Sequence, residues 1–196
     1  MRTLELETPH GRARVHLHPA RTSRAGLVLG HGAGGGVAAP DLVAVSDVAV
    51  AARVSVALVE QPYLVAGRRS PAPARQLDAV FVSVVEQLPI DAPVIVGGRS
   101  LGARVACRTA EAVDAAGVLC LAFPVHPPGR PEKSRLDELD GVTVPTLVVQ
   151  GARDPFGMPP TGAGRTVVEV PGDHSLKTDL DAVAAAVRDW LPRVLS

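Results

Sequence analysis

The sequence predicts an α/β protein: a mostly parallel central sheet of about eight strands, opened by an antiparallel pair and covered by helices on both faces. Three observations carry that prediction. Short apolar runs such as "AGLVLG", "VSVALVE", "PVIVGG" and "VPTLVVQG" lack the polar–apolar alternation of a half-exposed strand, as strands buried on both faces do. Stretches with helical periodicity separate these runs, the order that builds parallel sheets. Ahead of them, "TLELE" and "ARVHLH" alternate with period two around the turn Thr8-Pro9-His10-Gly11, which reads as a hairpin.

The remaining elements follow in order. "AGLVLGHGAGGG" is a buried strand running into a glycine loop. "APDLVAVSDVAVAAR" is a helix with Pro40 near its start, where a missing N–H costs nothing. "VSVALVE" is a strand and "SPAPARQLDAVFVSVVEQL" a helix closed by Pro89. "PVIVGG" is a strand, "SLGARVACRTAEAV" a helix and "GVLCLAF" a strand. The Pro- and charge-rich stretch from Pro124 to Asp140 has room for one short helix. "VPTLVVQG" and "RTVVEV" are the last strands, and "TDLDAVAAAVRDWLPRVL" the closing helix. With no repeat, low-complexity tract or linker, residues 1–196 are expected to form one domain.

Composition narrows the function. The formal net charge is zero, which disfavours nucleic acid or an anionic membrane as a partner, since both call for clustered basic charge. Aromatics are only 3%, too few for a base-stacking platform. No run approaches the roughly 18 apolar residues of a membrane span, and the N-terminus lacks the apolar core of a signal peptide. The expected location is the cytoplasm, with a small molecule as partner; the oligomeric state stays open. Cys107 and Cys120 lie in apolar stretches without metal-ligand spacing and read as reduced core residues. Neither metal nor cofactor is expected.

In an open α/β sheet, ligands gather beyond the carboxyl ends of the strands. Four marked segments fall there: "GHGAGGG" at 30–36, "GGRSLG" at 97–102, "GARDPFG" at 151–157 and "PGDHSL" at 171–176. Gly98-Arg99-Ser100-Leu101-Gly102 fits G-x-S-x-G between a strand and a helix, a corner that presents a serine hydroxyl in a strained turn. A bare helix-capping serine is the bland alternative. Serine needs a base to take its proton, and His174, in a polar loop before the last helix, is the candidate; His10, His16 and His18 fall on the opening hairpin. The imidazole needs a carboxylate to hold its tautomer. Asp154 is preferred to Asp173, because side chains of adjacent loop residues diverge and Asp173 better suits shaping the turn.

The order Ser100, Asp154, His174 is that of the α/β-hydrolase family, which the chain resembles over nearly its whole length. More narrowly it resembles small lid-less members grouped with dienelactone-hydrolase-like and testis-expressed-protein-type hydrolases. The matching segments are "HGAGGG", "GRR" at 67–69, "GGRSLG", "FPVHPPGRPEKSR" and "QGARDPFG". The resemblance implies an α/β-hydrolase fold without a lid domain, a Ser/Asp/His triad at the three positions above, and oxyanion donors at the Leu101 N–H and the Ala33 N–H. Dienelactone hydrolases proper use a cysteine nucleophile, so the serine here departs from them. The expected activity is hydrolysis of a small or soluble carboxylic ester or thioester through an acyl-enzyme on Ser100.

Two other readings compete. The fold could serve as a non-catalytic binding module. Alternatively, Gly30-His31-Gly32-Ala33-Gly34-Gly35 fits G-x-G-x-x-G, with Glu60 as a ribose-binding acid, but the following helix starts too late to carry a pyrophosphate. The segment from Pro124 to Thr143 is too short for a lid, so an open site is expected. Its wall candidates are His31, Tyr63, Leu64, Phe123, Val125, His126, Phe156 and Met158. His31 could equally order its own loop, and His126 cap one. Arg68, Arg69 and Arg99 are read as ion-pair partners of nearby acids, or as contacts for an anionic substrate.

Overall fold

A computed structural model describes residues 2–196. The hairpin strands β1 (Arg2–Thr8) and β2 (Gly11–His18) lead to β3 (Ala25–Gly30), α1 (Pro40–Ala51) and β4 (Val54–Glu60). A single turn of helix, α2 (Pro62–Val65), precedes α3 (Ala74–Gln87) and β5 (Val94–Arg99). Then come α4 (Leu101–Thr109), β6 (Gly117–Leu121), α5 (Leu136–Asp140), β7 (Thr146–Gly151), β8 (Arg165–Val170) and α6 (Leu180–Val194). The eight strands form one sheet in the order β1-β2-β4-β3-β5-β6-β7-β8. β2 runs antiparallel to β1 and to β4, and every pairing from β4 to β8 is parallel.

Both faces of the sheet are covered, which is why the central strands read as unbroken apolar runs. Along β3, Leu27 and Leu29 point into one core with Leu42 and Val45 of α1 and Val187 and Trp190 of α6. Val28, between them, points into the other, with Phe81 and Val84 of α3 and Ala103 and Ala106 of α4. Each fully buried Leu or Phe contributes roughly 1.5–3 kcal/mol relative to leaving it in water.

Most ends fall within two residues of expectation; two helix boundaries differ by more and one short helix was not expected, each for a local reason. α3 begins at Ala74 rather than Ser70, because Pro71 and Pro73 hold the preceding residues extended. α4 stops at Thr109 rather than Val113: Asp114 takes φ +48° and the Ala115 amide turns back to the Ala110 carbonyl. α2 was not legible, since four residues opening on Pro62 carry no helical period. Between β6 and β7 only α5 intervenes, so nothing the size of a lid covers this edge of the sheet.

Candidate active site

Ser100 is the single residue between β5 and α4, with φ +53° and ψ −105°. A β-carbon-bearing residue in that conformation costs about 1–3 kcal/mol, which the surroundings must enforce. Here they do. The Ser100 amide donates to the Leu121 carbonyl at 2.9 Å, and the Ser100 carbonyl accepts the first helical bond from Arg104. α4 can leave so sharply because Gly98 and Gly102 let its first turn rest on β3. A Cβ on Gly98 would stand 2.5 Å from the Gly30 oxygen, and one on Gly102 would overlap that same atom. The hydroxyl makes no cap within its own helix.

It faces His174 instead. Ser100 Oγ lies 2.9 Å from His174 Nε2, and His174 Nδ1 lies 2.8 Å from Asp154 Oδ2. A carboxylate oxygen only accepts, so Nδ1 carries the proton and Nε2 is left to accept from the serine hydroxyl. Asp154 follows β7 and His174 follows β8, so the three side chains meet beyond the carboxyl edge of the parallel strands. The Asp154 side chain is 1% exposed and that of His174 17%, so the acid is dry while the imidazole still meets solvent. Asp173 turns elsewhere: its Oδ1 accepts from the Ser175 amide at 2.9 Å and the Ser175 hydroxyl at 2.7 Å, contacts that hold its carboxyl below the usual range.

Gln150, on β7, was not singled out from the sequence. It is fully buried, and its Nε2 donates to Asp154 Oδ2 at 2.9 Å, Phe123 O at 3.0 Å and Gly157 O at 2.8 Å. Two hydrogens serve three acceptors, so one is shared. With the Phe156 amide donating to Asp154 Oδ1 at 2.8 Å, both carboxylate oxygens are fixed. The signal was a glutamine inside "TLVVQG": a buried amide has to find partners.

The glycine loop after β3 lies against the serine, a Cβ on Gly32 falling 3.8 Å from Ser100 Cβ. His31 is buried. Its Nε2 accepts from the Gln61 amide at 3.1 Å, so Nδ1 is the protonated nitrogen and donates to the Gly32 carbonyl at 2.7 Å. Burial pushes its pKa down, which keeps it neutral. The Gly32 carbonyl also accepts from the Gly35 amide. Because the peptide is planar, pinning that oxygen fixes the N–H at its far end, that of Ala33. Tyr63 then donates its hydroxyl to the Ala33 carbonyl at 3.0 Å, and burial, raising its pKa to about 12, keeps it a donor. Leu101 opens α4, where a helix has no acceptor of its own for the amide.

The expected wall residues divide. Phe156 stacks on the His174 ring with centroids 4.0 Å apart. His126 is half-buried and tied to the same segment, its amide donating to the Phe156 carbonyl and its Nδ1 to the Pro127 carbonyl. Met158 is 40% exposed on that segment. Phe123 and His31 are buried in the core, Val125 is nearly so, and Tyr63, also buried, borders a separate hollow with Pro62, Arg68 and Gln76, so these four offer a substrate little surface as wall. Leu64 packs on the core, and Arg68 and Arg69 are exposed. A groove of about 510 Å³ runs from Gly34–Gly36 past Arg99 to Ser175 and Lys177, with neither Ser100 nor His174 on its wall.

The dinucleotide arrangement does not form. α1 starts at Pro40, well past Gly35, and Glu60 is engaged by Arg14 and His16 of β2 at 3.4 and 3.2 Å. Among the described residues no group of three or more His, Cys, Asp or Glu is placed to hold a metal, and no helix is long and apolar enough to cross a membrane.

Comparison with known proteins agrees with this architecture. The sequence profile of a family described as "Alpha/beta hydrolase domain" matches residues 23–184. No curated protein sequence matches the chain. Among solved structures, a serine hydrolase without a lid from Xanthomonas campestris superposes with a TM-score of 0.80 at 20% identity, covering 98% of this chain and 94% of that one. Est1E from Butyrivibrio proteoclasticus, bound to ferulic acid, gives 0.78 at 16% identity, with 97% and 98% covered. A dienelactone hydrolase from Anabaena variabilis gives 0.76 at 17%, with 98% and 96% covered. At these identities the likeness is one of fold.

Proposed function

The chain belongs to the α/β-hydrolase family, and from that premise we propose that it is a serine hydrolase acting on a small or soluble carboxylic ester or thioester, in the cytoplasm. The observation that carries the reading is the unbroken relay from Ser100 Oγ through His174 to Asp154, at 2.9 and 2.8 Å, on a strained strand-to-helix corner.

The mechanism follows from the donors and acceptors. Ser100 Oγ attacks the acyl carbon while His174 Nε2 takes the hydroxyl proton. Asp154 holds the imidazole by Nδ1 and stabilises the imidazolium that forms. The carbonyl oxygen becomes an oxyanion and is received by the Leu101 and Ala33 amides, each worth about 3–4 kcal/mol of barrier. His174 then delivers the proton to the departing alkoxide or thiolate, leaving an ester on Ser100. A water molecule repeats the sequence, its proton going to His174 and then back to the serine oxygen as the acid leaves. Phe156, on the imidazole, forms one side of the acyl site. The short β6–β7 connection supports an open site, which favours short acyl groups over long lipid chains.

Labelling with a fluorophosphonate probe tests the reading. Wild type labels and Ser100→Ala does not, while hydrolysis of p-nitrophenyl acetate falls by about 10⁴-fold or more in the variant at unchanged melting temperature. A folded wild type that neither labels nor hydrolyses the ester would make the fold a binding module instead. A preference for the longest chains in a graded p-nitrophenyl ester series would overturn the open-site argument.

A further inference from the structure

Arg99 closes β5 and immediately precedes Ser100, and its guanidinium touches three segments at once. Nη2 donates to the His174 carbonyl at 2.9 Å. Nε lies 3.0 Å from Oδ2 of Asp41, in the first turn of α1. Nη1 lies against Gly32, where a Cβ would come within 3.0 Å of it. One planar group therefore joins the serine corner, the glycine loop, the start of α1 and the histidine loop.

Neither end of this bridge is an ordinary surface contact. The Asp41 side chain is fully buried and Arg99 is 18% exposed. By strict geometry neither Asp41 oxygen accepts an aligned hydrogen bond, yet the Arg99 guanidinium at 3.0 Å and the Leu42 and Asp41 amides all favour its charged form. Burial pushes the Asp41 carboxyl up and the facing guanidinium pulls it back. Such a pair adds little to stability compared with an apolar substitute, but it fixes geometry, since either member left alone is strongly disfavoured. Arginine also suits the task where lysine does not, because its rigid fork serves two partners in one plane.

The histidine loop has few other anchors on this side. The Ser175 and Leu176 amides bond back to Asp173 inside the loop, and the Arg153 amide holds the Gly172 carbonyl from the β7 side. Leu176 seats the loop from below, fully buried at φ +52°. Apart from the contact between His174 and Ser100 themselves, the Arg99 bond to the His174 carbonyl is the tie among the described residues between the loop and the serine corner. The geometry points to Arg99, seated by Asp41, as the positioning residue that sets the distance from His174 Nε2 to Ser100 Oγ. This rests on the serine-hydrolase reading above.

The test uses the full chain with p-nitrophenyl acetate as substrate, and deuterium exchange of the peptide spanning residues 171–177 as a readout independent of activity. Arg99→Gln lowers kcat by about 10–100-fold with KM within twofold, the effect expected when reacting groups drift by about 1 Å, and exchange in the loop speeds up. Arg99→Lys keeps the charge opposite Asp41 but cannot also reach the carbonyl, so it recovers the melting temperature more fully than kcat. This second variant keeps the question open to decision if Arg99→Gln does not fold. Arg108→Gln, which breaks an ion pair far from Ser100, lowers the melting temperature and leaves kcat within twofold, separating positioning from general loosening. Loop exchange and kcat both unchanged in the Arg99 variants would overturn the inference. If wild type proves inert towards the ester and the fluorophosphonate, it is the hydrolase reading that fails, and exchange alone decides whether Arg99 holds the loop.

Discussion

The two ends of α4 use the same side-chain chemistry for opposite purposes. At its start, backbone strain at Ser100, close glycine contacts and Arg99 converge on one half-buried hydroxyl. Along its flank, Arg104 grips Glu138 with two bonds of 2.7 and 2.6 Å, and Arg108 grips Asp78 at 2.8 and 2.6 Å while also reaching Glu138 at 3.0 Å. That second cluster joins α3, α4 and α5 and satisfies its own charges. The first leaves a strained, half-buried serine aimed at a second polar group. Perturbing the flank should therefore cost stability and leave hydrolysis alone; perturbing the start should cost hydrolysis out of proportion to stability.

The sharpest break is Gly102→Ala. The added methyl has nowhere to go but into the Gly30 carbonyl, which is backbone and cannot rotate away. Overpacking of this kind costs about 1–3 kcal/mol, and lifting α4 off β3 adds the loss of the Ser100 conformation. Hydrolysis of p-nitrophenyl acetate and fluorophosphonate labelling should both vanish even in the fraction that folds, as circular dichroism and labelling of the same sample would report. Retained labelling would mean that the corner tolerates a shifted helix.

Next in size is Gln150→Leu, similar in volume and apolar. It removes the amide that holds Asp154 Oδ2, while the Phe156 amide still holds Oδ1. The carboxylate keeps one anchor and gains rotational freedom, so kcat should fall by about tenfold or more, an effect of orientation. Stability falls as well, by about 1–3 kcal/mol, because the Phe123 and Gly157 carbonyls and Asp154 Oδ2 lose their shared donor, a loss only partly offset by removing the orphaned Oε1. Equal kcat in variant and wild type would reduce Gln150 to packing.

The legibility of these regions from sequence differs in the same way. The strands were legible because a strand buried on both faces must be apolar throughout. The segments holding Ser100, Asp154 and His174 were marked because glycine, Asp-Pro and a polar loop stood at strand ends. Residues that act through others left weaker marks. Gln150 differs from an ordinary strand residue only by one amide, and its partner lies beyond the next turn. Arg99 was read as an ion-pair former, yet nothing in its neighbourhood in sequence points to Asp41, or to a carbonyl 75 residues on. Wall residues are hard to read for a related reason: Phe123 is apolar enough for either a pocket or a core, and only packing decides.

The mildest test lies on the flank and uses pH. Burial would raise the Glu138 carboxyl, but Arg104 and Arg108 outweigh it and hold it below its ordinary 4.5. Its folded pKa is thus below its unfolded one, so the stability it contributes is fully present above about 4.5 and is lost as pH falls through the folded value. Glu138→Gln should lower unfolding stability near neutral pH by about 1.5–3 kcal/mol, the range for hydrogen bonds to charged groups. The gap should narrow as pH drops below 4.5, where the unfolded carboxyl takes up its proton first, and close once pH passes the folded value and the native carboxyl is neutral too. Asp78 still faces Arg108 in both proteins, so part of the acid sensitivity remains. Urea titrations of both across that range provide the curve, and kcat near neutral pH should stay within twofold. A gap that does not change with pH would mean that shape, not the carboxylate charge, is what α5 offers α4. A fall in kcat would mean that the two ends of the helix are coupled.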